Sequence, residues 1–390
     1  MISVEEAKKL IGEHSSALES VIKPLHQASE HILAQDVFGA YDIPAFRQSS
    51  MDGYAIIFND KNSNLKLVGE MAAGTSNQLN LKNGETSRIF TGAPLPEGAD
   101  TVVMQEKTTA NNDKISFNDE KLILGSNVRQ IGSEIRPGEL AMQKGDLLTP
   151  AALAFLAGIG ISEVAVYPMP KVVIILTGNE LQEPGSPLNF GRVYESNSYA
   201  LSAALKKETI ADIEILKAED TLEELTFVLK SALENNDVVL LTGGVSVGDY
   251  DFVIKAATNC GVKQVFHKVK QKPGKPLFFG KQNNKVIFGL PGNPSSVLNC
   301  YYNYVVPSIK KLSNKENSIK EIDATLTHNY TKPKGLTHFL KGNYSDGKAT
   351  PLGAQESYRL SSFAQANCLI QLKEGRENFS TGEIVNVILI

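Results

Sequence analysis

Two segments carry the residue types that anion and metal chemistry require. One is Ile174-Ile175-Leu176-Thr177-Gly178-Asn179-Glu180-Leu181. The other is Leu240-Leu241-Thr242-Gly243-Gly244-Val245-Ser246-Val247-Gly248-Asp249-Tyr250-Asp251. In each, an apolar run that reads as a buried strand ends in Thr-Gly and is followed by carboxylates: Glu180 after the first, Asp249 and Asp251 after the second. Glycines at the carboxyl end of a parallel strand let backbone N–H groups approach an anion, and a helix start adds partial positive charge. A bare phosphate site has no need of two adjacent acids, whereas a site that also holds Mg²⁺ does. The competing interpretation is two tight turns with solvated acids.

The cationic counterpart is His267-Lys268-Val269-Lys270-Gln271-Lys272-Pro273-Gly274-Lys275-Pro276. Lys268, Lys270 and Lys272 alternate, so one extended strand would place them on one face. Lys275 follows a rigid Pro-Gly turn, and lysine is a suitable point-charge partner for an oxyanion. Gly289-Leu290-Pro291-Gly292-Asn293-Pro294-Ser295-Ser296 reads as a strand–turn–helix junction. Its amides and the Ser296 hydroxyl could face an anion, or Pro-Gly-Asn-Pro could be only a stiff turn; both readings stay open. Ser50-Met51-Asp52-Gly53-Tyr54 and Phe90-Thr91-Gly92-Ala93-Pro94-Leu95-Pro96 are, by themselves, turn signatures.

The elements that must position these residues follow from periodicity. Residues 3–35 read as helical, with Val4, Ala7, Leu10 and Ile11 at helical spacing. From about Val37, short β-like runs take over: 54–58, 65–68, 88–91, 101–104 and 121–124. A mixed segment over 129–166 contains a helical run at 150–157, so the β-rich part looks inserted between two flanks. From Lys171 strands and helices alternate. Ser196 or Asn197 can cap one helix, Thr221 with Glu224 makes a capping box for the next, a helix spans 250–258, and strands 277–279 and 286–288 form a hairpin. Such alternation implies a mostly parallel sheet covered on both faces. After about Ser313, short strands return, which suggests a small barrel or sandwich.

With 390 residues there is sequence for two to four domains. A net charge of −4 offers no basic field for nucleic acid. No apolar run approaches the ~20 residues of a membrane span, and Met1 to Ala7 shows no secretory signal. Cys260, Cys300 and Cys368 are widely spaced, which fits reduced thiols in a cytoplasmic protein. The six histidines form no zinc motif.

Taken in order, the runs Ser50–Ala55, Thr91–Pro96, Val103–Glu106, Thr177–Leu181, Gly243–Asp251, Lys272–Pro276 and Leu290–Pro294 resemble the MoeA family, the molybdopterin molybdenumtransferases, related to the E domain of gephyrin. The resemblance spans nearly the whole chain. The adenylyltransferase of the preceding step shares only the α/β part, so the N-terminal runs separate the two.

What the resemblance implies is an elongated multidomain chain of class α/β plus β: a linker and dimerisation domain (1–38 with 129–166), an inserted β-rich domain (39–128), a doubly wound α/β pterin-binding domain (167–312) and a small C-terminal β-barrel (313–390). It implies a homodimer whose active site is shared between subunits, and a transient contact with the adenylyltransferase. The implied reaction converts adenylylated molybdopterin and molybdate into molybdenum cofactor and AMP, assisted by Mg²⁺. Its expected catalytic residues are Asp52, Thr91, Glu180, Asp251, Lys268, Lys272 and Lys275. Expected to bind the pterin and the oxyanion are Thr177, Gly178, Gly243, Gly244, Ser246, Gly248, Pro291, Gly292, Asn293, Pro294, Ser296, Lys341 and Ser357. Asp249, Asp251 and Glu180 are the expected Mg²⁺ ligands. The chain departs from the family by having Lys341 where arginine is usual, which predicts weaker molybdate binding, and Glu134 where aspartate is common, so Glu134 is left out of the site. A tungstate-specific paralogue and a scaffold without turnover are the alternatives.

Overall fold

The computed structural model describes residues 1–244 and 252–390. Helix α1 (Val4–His14) starts under a Ser3 side-chain cap and ends at Ser15, whose N–H returns to the Ile11 carbonyl. The helix expected to run to residue 35 therefore stops at His14. Two serines follow, and the β-branched pair Val21-Ile22 enters a strand instead. The Ser15 hydroxyl is held by that of Ser308, 2.7 Å away, which fixes the exit of the chain.

The chain divides into two compact units, one of residues 1–21, 30–32 and 165–390, the other of 22–29 and 33–164. The second unit contains a six-stranded sheet: β1 (Gly53–Ile56), β2 (Leu65–Met71), β3 (Glu85–Ile89), β4 (Thr101–Met104), β5 (Thr108–Asn111) and β6 (Lys114–Phe117), in the order β4-β1-β3-β2-β6-β5. Ala55, Met71, Ile89 and Val102 fill one of its cores. Residues 121–124, expected as a strand, form a turn region. Leu122 is buried there as an anchor, while Ile123 and Leu124 point to solvent. Helix α2 (Pro150–Gly158) carries a Thr149 cap and proline in its first turn, where a missing N–H costs nothing.

The first unit contains the α/β sheet and the barrel. The sheet comprises β7 (Val172–Thr177), β8 (Ile213–Ala218), β9 (Val238–Thr242), β10 (Lys263–His267), β12 (Phe278–Gln282) and β13 (Lys285–Leu290), ordered β8-β7-β9-β13-β12-β10. Its β8-β7-β9-β13 part is parallel, while β12 and β10 add antiparallel edges. Alternate residues of β7 divide between two cores. Val172, Ile174 and Leu176 face α1, α3 (Asn197–Lys207) and α6 (Pro294–Cys300), whereas Val173 and Ile175 face α4 (Leu222–Asn235) and α5 (Phe252–Asn259). Both faces are thus covered, as the uninterrupted apolar strands require. Thr221 caps α4 as expected. Helix α3 is capped differently: the side chain of Glu195, not Ser196 or Asn197, accepts from Ser198 N at 2.8 Å.

Helix α6 passes through a π-helical turn, Tyr301–Val305, into α7 (Val306–Leu312). Beyond it, β14 (Glu321–Leu326), β15 (Thr337–Ser345), β16 (Lys348–Pro351), β17 (Cys368–Leu372) and β18 (Ile384–Leu389) run in the order β15-β16-β14-β18-β17, and β17 pairs back onto β15. This is a closed five-stranded barrel. The short β11 (Gln271–Lys272) adds to its β15 edge in parallel.

Candidate functional site

Three adjacent parallel strands, β7, β9 and β13, bring Thr177, Thr242 and Leu290 to one sheet edge. The Thr177 hydroxyl donates to the Thr242 carbonyl at 3.1 Å, and Gly243 N–H donates to the Leu290 carbonyl at 3.2 Å. Gly243 has φ +89°, and a Cβ there would sit 2.8 Å from both the carbonyl and the hydroxyl oxygen of Thr177. Only glycine fits this crossing of backbones.

Above the edge opens a cleft of about 780 Å³. Its floor and walls include Thr177, Glu180, Gly243, Gly244 and the turn Pro291 to Pro294. The structure therefore joins three segments that the sequence singled out separately. The Glu180 carboxylate lies over Gly178, where a Cβ would come within 2.8 Å of both its oxygens. Pro276, next to Lys275, also borders the cleft. Ser246, Gly248, Asp249 and Asp251 lie outside the described residues.

The lysine segment is not one strand. β10 ends at His267, and Lys268 has φ +78°, so the expected alternation of Lys268, Lys270 and Lys272 on a single face is replaced by a loop. Non-glycine residues rarely adopt that conformation, and it ends strand pairing. Lys272 and Lys275 are both exposed. The turn that carries them is built from beneath: Gln271 Nε2 donates to the Gly274 carbonyl at 2.8 Å, and Asn299 Nδ2 to the Pro273 carbonyl at 3.1 Å. Gly274 has φ +86°, with the buried Cys300 sulfur 2.7 Å from where a Cβ would stand. Burial pushes that thiol up to about 12, so Cys300 is a packing group. Ser296 is also buried.

Several cleft residues were not expected at the site from the sequence. Tyr194, Ser196 and Asn197 come from the segment that pairs with Leu181-Gln182, and Tyr358 and Leu360 come from the barrel. Asn197 donates its Nδ2 to the Gly292 carbonyl at 3.0 Å, while its buried Oδ1, like the Thr242 hydroxyl, has no partner among the described residues. Ser357 accepts from Asn293 Nδ2 at 2.8 Å through its hydroxyl, leaving its own O–H free to donate. Asp220 follows β8, the strand beside β7. Burial first, and the negative charge of Glu180 second, raise its carboxyl above the usual range. Lys341 is buried on β15, with its ammonium directed at carbonyls of the 354–359 segment.

Asp52 and Thr91 belong to the other compact unit. There the exposed Asp52 carboxylate accepts from Thr91 N at 2.8 Å and Thr91 Oγ1 at 2.9 Å. The backbone bond, then the hydroxyl bond, hold its carboxyl below the usual range against the opposing effect of burial, with a lesser pull from Arg88. Asp52 is therefore an anion at neutral pH. The described residues contain no cluster of three or more metal-binding side chains and no helix long and apolar enough to cross a membrane.

Residues 2–160 match the MoeA N-terminal region (domain I and II), residues 173–311 a probable molybdopterin binding domain, and residues 323–390 the MoeA C-terminal region (domain IV). The molybdopterin molybdenumtransferase of Haemophilus influenzae is 34% identical over 99% of this chain and 98% of its own length. That of Staphylococcus aureus (strain Mu50) is 32% identical over 100% of this chain and 95% of its own. A crystal structure of the molybdopterin biosynthesis MoeA protein from Pyrococcus horikosii superimposes with a TM-score of 0.81 at 29% identity, covering 100% of this chain and 99% of that one.

Proposed function

This chain belongs to the MoeA family of molybdopterin molybdenumtransferases, and on that premise we propose that it transfers molybdenum from molybdate to molybdopterin in molybdenum cofactor biosynthesis. The substrate is the adenylylated pterin, and the second product is AMP. The observation that carries this reading is the cleft at the ends of β7, β9 and β13, where close-approach glycines, the Glu180 carboxylate and Pro276, the residue after Lys275, border one space.

The charges set the chemistry. A pyrophosphate and molybdate are both anions, and bringing them together requires cancelling negative charge. Lys272 and Lys275, both exposed, supply cations on a turn fixed by Gln271 and Asn299. Gly243 and Gly244 let backbone approach the phosphate oxygens, and Ser357 offers a free O–H donor. Bound Mg²⁺ would supply charge neutralisation of the pyrophosphate as AMP leaves. Glu180 and Asp220 would hold such an ion: burial first, and the field of Glu180 second, disfavour ionisation of Asp220, and a divalent cation relieves the repulsion between the two carboxylates. Asp249 and Asp251 complete the donor set in this reading.

The same reading makes the protein a cytoplasmic homodimer that receives its pterin from the adenylyltransferase. Asp52 and Thr91 of one subunit serve the cleft of the other, with domains at 1–38 plus 129–166, 39–128, 167–312 and 313–390. The test is incubation of the purified protein with adenylylated molybdopterin, Mg²⁺ and either molybdate or tungstate. AMP release with cofactor formation is expected with molybdate. No AMP release with either anion overturns the enzymatic reading, and release with tungstate alone moves the assignment to that metal.

A further inference from the structure

The barrel contributes a wall of the cleft, and one buried lysine holds that wall in place. The segment between β16 and β17 includes Tyr358 and Leu360, which line the cleft. It is pinned at its cleft end to the start of α6: Asn293 Nδ2 donates to Ser357 Oγ at 2.8 Å, and Ser295 N to the Ser357 carbonyl at 3.1 Å. It is pinned from β15 by Lys341, only 2% exposed, whose ammonium donates to the carbonyls of Ala354 at 2.7 Å, Glu356 at 3.2 Å and Arg359 at 3.0 Å. Gln355 completes the attachment, accepting from Lys341 N and donating to the Lys341 carbonyl.

An ammonium has three N–H donors and no acceptor. In Lys341 all three are taken by backbone carbonyls, so none is left for an oxyanion. Ala354, at φ +53°, needs such an external hold because an L-residue gains nothing from that conformation by itself. Tyr358, by contrast, is 65% exposed while lining the cleft. An aromatic ring left in water at the mouth of a site suits a planar heteroaromatic ligand, which it can meet by stacking.

We propose that segment 354–360 is a pterin-binding strap in which Tyr358 provides the stacking face, and that Lys341 is a positioning residue for this strap, not a ligand of molybdate. The Tyr358 part rests on the proposed function, because it takes the ligand to be a pterin. The Lys341 part rests on geometry alone.

The experiment compares wild type with Tyr358→Ala, Lys341→Met and Lys341→Arg by three readouts: pterin binding by fluorescence quenching, molybdate binding by equilibrium dialysis, and amide hydrogen exchange across 354–360. Tyr358→Ala, on the surface and safe for folding, should weaken pterin binding about tenfold with exchange and molybdate binding unchanged. Lys341→Met should speed exchange in the strap and weaken pterin binding by a similar factor, and Lys341→Arg, which keeps a multi-donor cation, should restore both. Unchanged pterin affinity in Tyr358→Ala removes the stacking face. A molybdate loss in Lys341→Met with strap exchange as in wild type, or tighter molybdate binding in Lys341→Arg at unchanged exchange, makes Lys341 an oxyanion ligand and ends the positioning role. If wild type takes up no pterin, the pterin reading of the cleft and the stacking face fall together, while exchange still decides Lys341.

Discussion

The hydroxyl of Thr177 donates to the carbonyl of Thr242, 3.1 Å away on the neighbouring strand, and this bond locks the two Thr-Gly ends that face the cleft. Replacing Thr177 by valine keeps the shape and strands a buried carbonyl, at a cost of about 1–2 kcal/mol. Gly243→Ala is the harsher change. Its Cβ would stand 2.8 Å from two oxygens of Thr177 at φ +89°, so the loop must move. The expected outcome is a loss of AMP release exceeding that of Thr177→Val, with a lower urea midpoint in both. Full activity in Gly243→Ala would show that the loop can shift freely and that the crossing is unimportant.

Glu180 and Asp220 together predict how activity depends on Mg²⁺ and pH. Asp220 holds its proton to a higher pH than an ordinary aspartate, through burial and then through Glu180. Metal binding needs the ionised form, so Mg²⁺ stimulation should weaken as pH falls toward that raised value. Removing one ligand charge, as in Glu180→Gln, should raise the Mg²⁺ concentration for half-maximal AMP release by roughly tenfold or more. Asp220→Asn should do the same and also abolish the pH effect. A Mg²⁺ dependence identical in all three proteins would remove both side chains from the metal site.

Asp52 supplies the test of a shared site. Asp52→Ala and Lys275→Ala should each be inactive as homodimers. Random mixing of two inactive protomers makes about half the dimers mixed, each with one intact site, so activity near a quarter of wild type should return. Mixed dimers that form but stay inactive would place Asp52 and Lys275 in the same subunit's site or in none.

His338 sets an acid-sensitive point in the barrel next to Lys272, its register partner on β11. Burial first, then Lys332 and Lys272, pull its pKa from an ordinary 6.5 to about 4. The unfolded chain thus binds a proton that the folded chain refuses. Stability is fully present above pH 6.5, declines as pH falls below it, and that contribution is lost once pH passes about 4. His338→Gln should flatten the decline. Urea midpoints measured across that window should fall more steeply with acid in the wild type than in His338→Gln, and parallel curves would contradict the assignment.

Much of this site could be read from residue order because its parts are strand ends. Val172 to Thr177 and Val238 to Thr242 are uninterrupted apolar runs closed by Thr-Gly, a pattern that buried parallel strands impose. Pro294 opens α6 for a reason that is local to proline. The residues that escaped notice depend on tertiary partners. Asp220 gains its place only because β8 pairs with β7, and Tyr358 enters the cleft only because Ser357 is tied to Asn293 across the barrel boundary. Lys268 misled the strand assignment because alternation in sequence says nothing of a residue at φ +78°. The helix expected to run to residue 35 ends early for a similar reason: the stop at Ser15 is secured by Ser308, far along the chain.

The buried pair Glu208 and Lys310 gives the last prediction. Their side chains are each 10% exposed and meet at 2.5 Å, with Ser318 Oγ donating to the same carboxylate at 2.9 Å. Breaking a buried pair from one side usually costs about 3–5 kcal/mol, because a charge is left alone. Here a second cation stands by. Burial, and then the Lys310 charge, push Lys315 from 10.5 to about 8, against the weaker pull of Glu30 and Glu208. Lys310→Met removes that repulsion and frees Glu208, so Lys315, already cationic at neutral pH, holds its proton to higher pH and takes over as partner. The cost should therefore lie near the lower end, about 3 kcal/mol, and adding Lys315→Met should cost more in this background than in wild type. The wild-type pH dependence has a definite sign: the unfolded chain keeps the Lys315 proton up to 10.5 while the folded chain releases it near 8, so this contribution to stability rises with pH across that window. In Lys310→Met the rise should shrink, because the folded pKa moves back up. Additive costs in urea unfolding, together with an unchanged pH slope, would show that Lys315 never reaches Glu208.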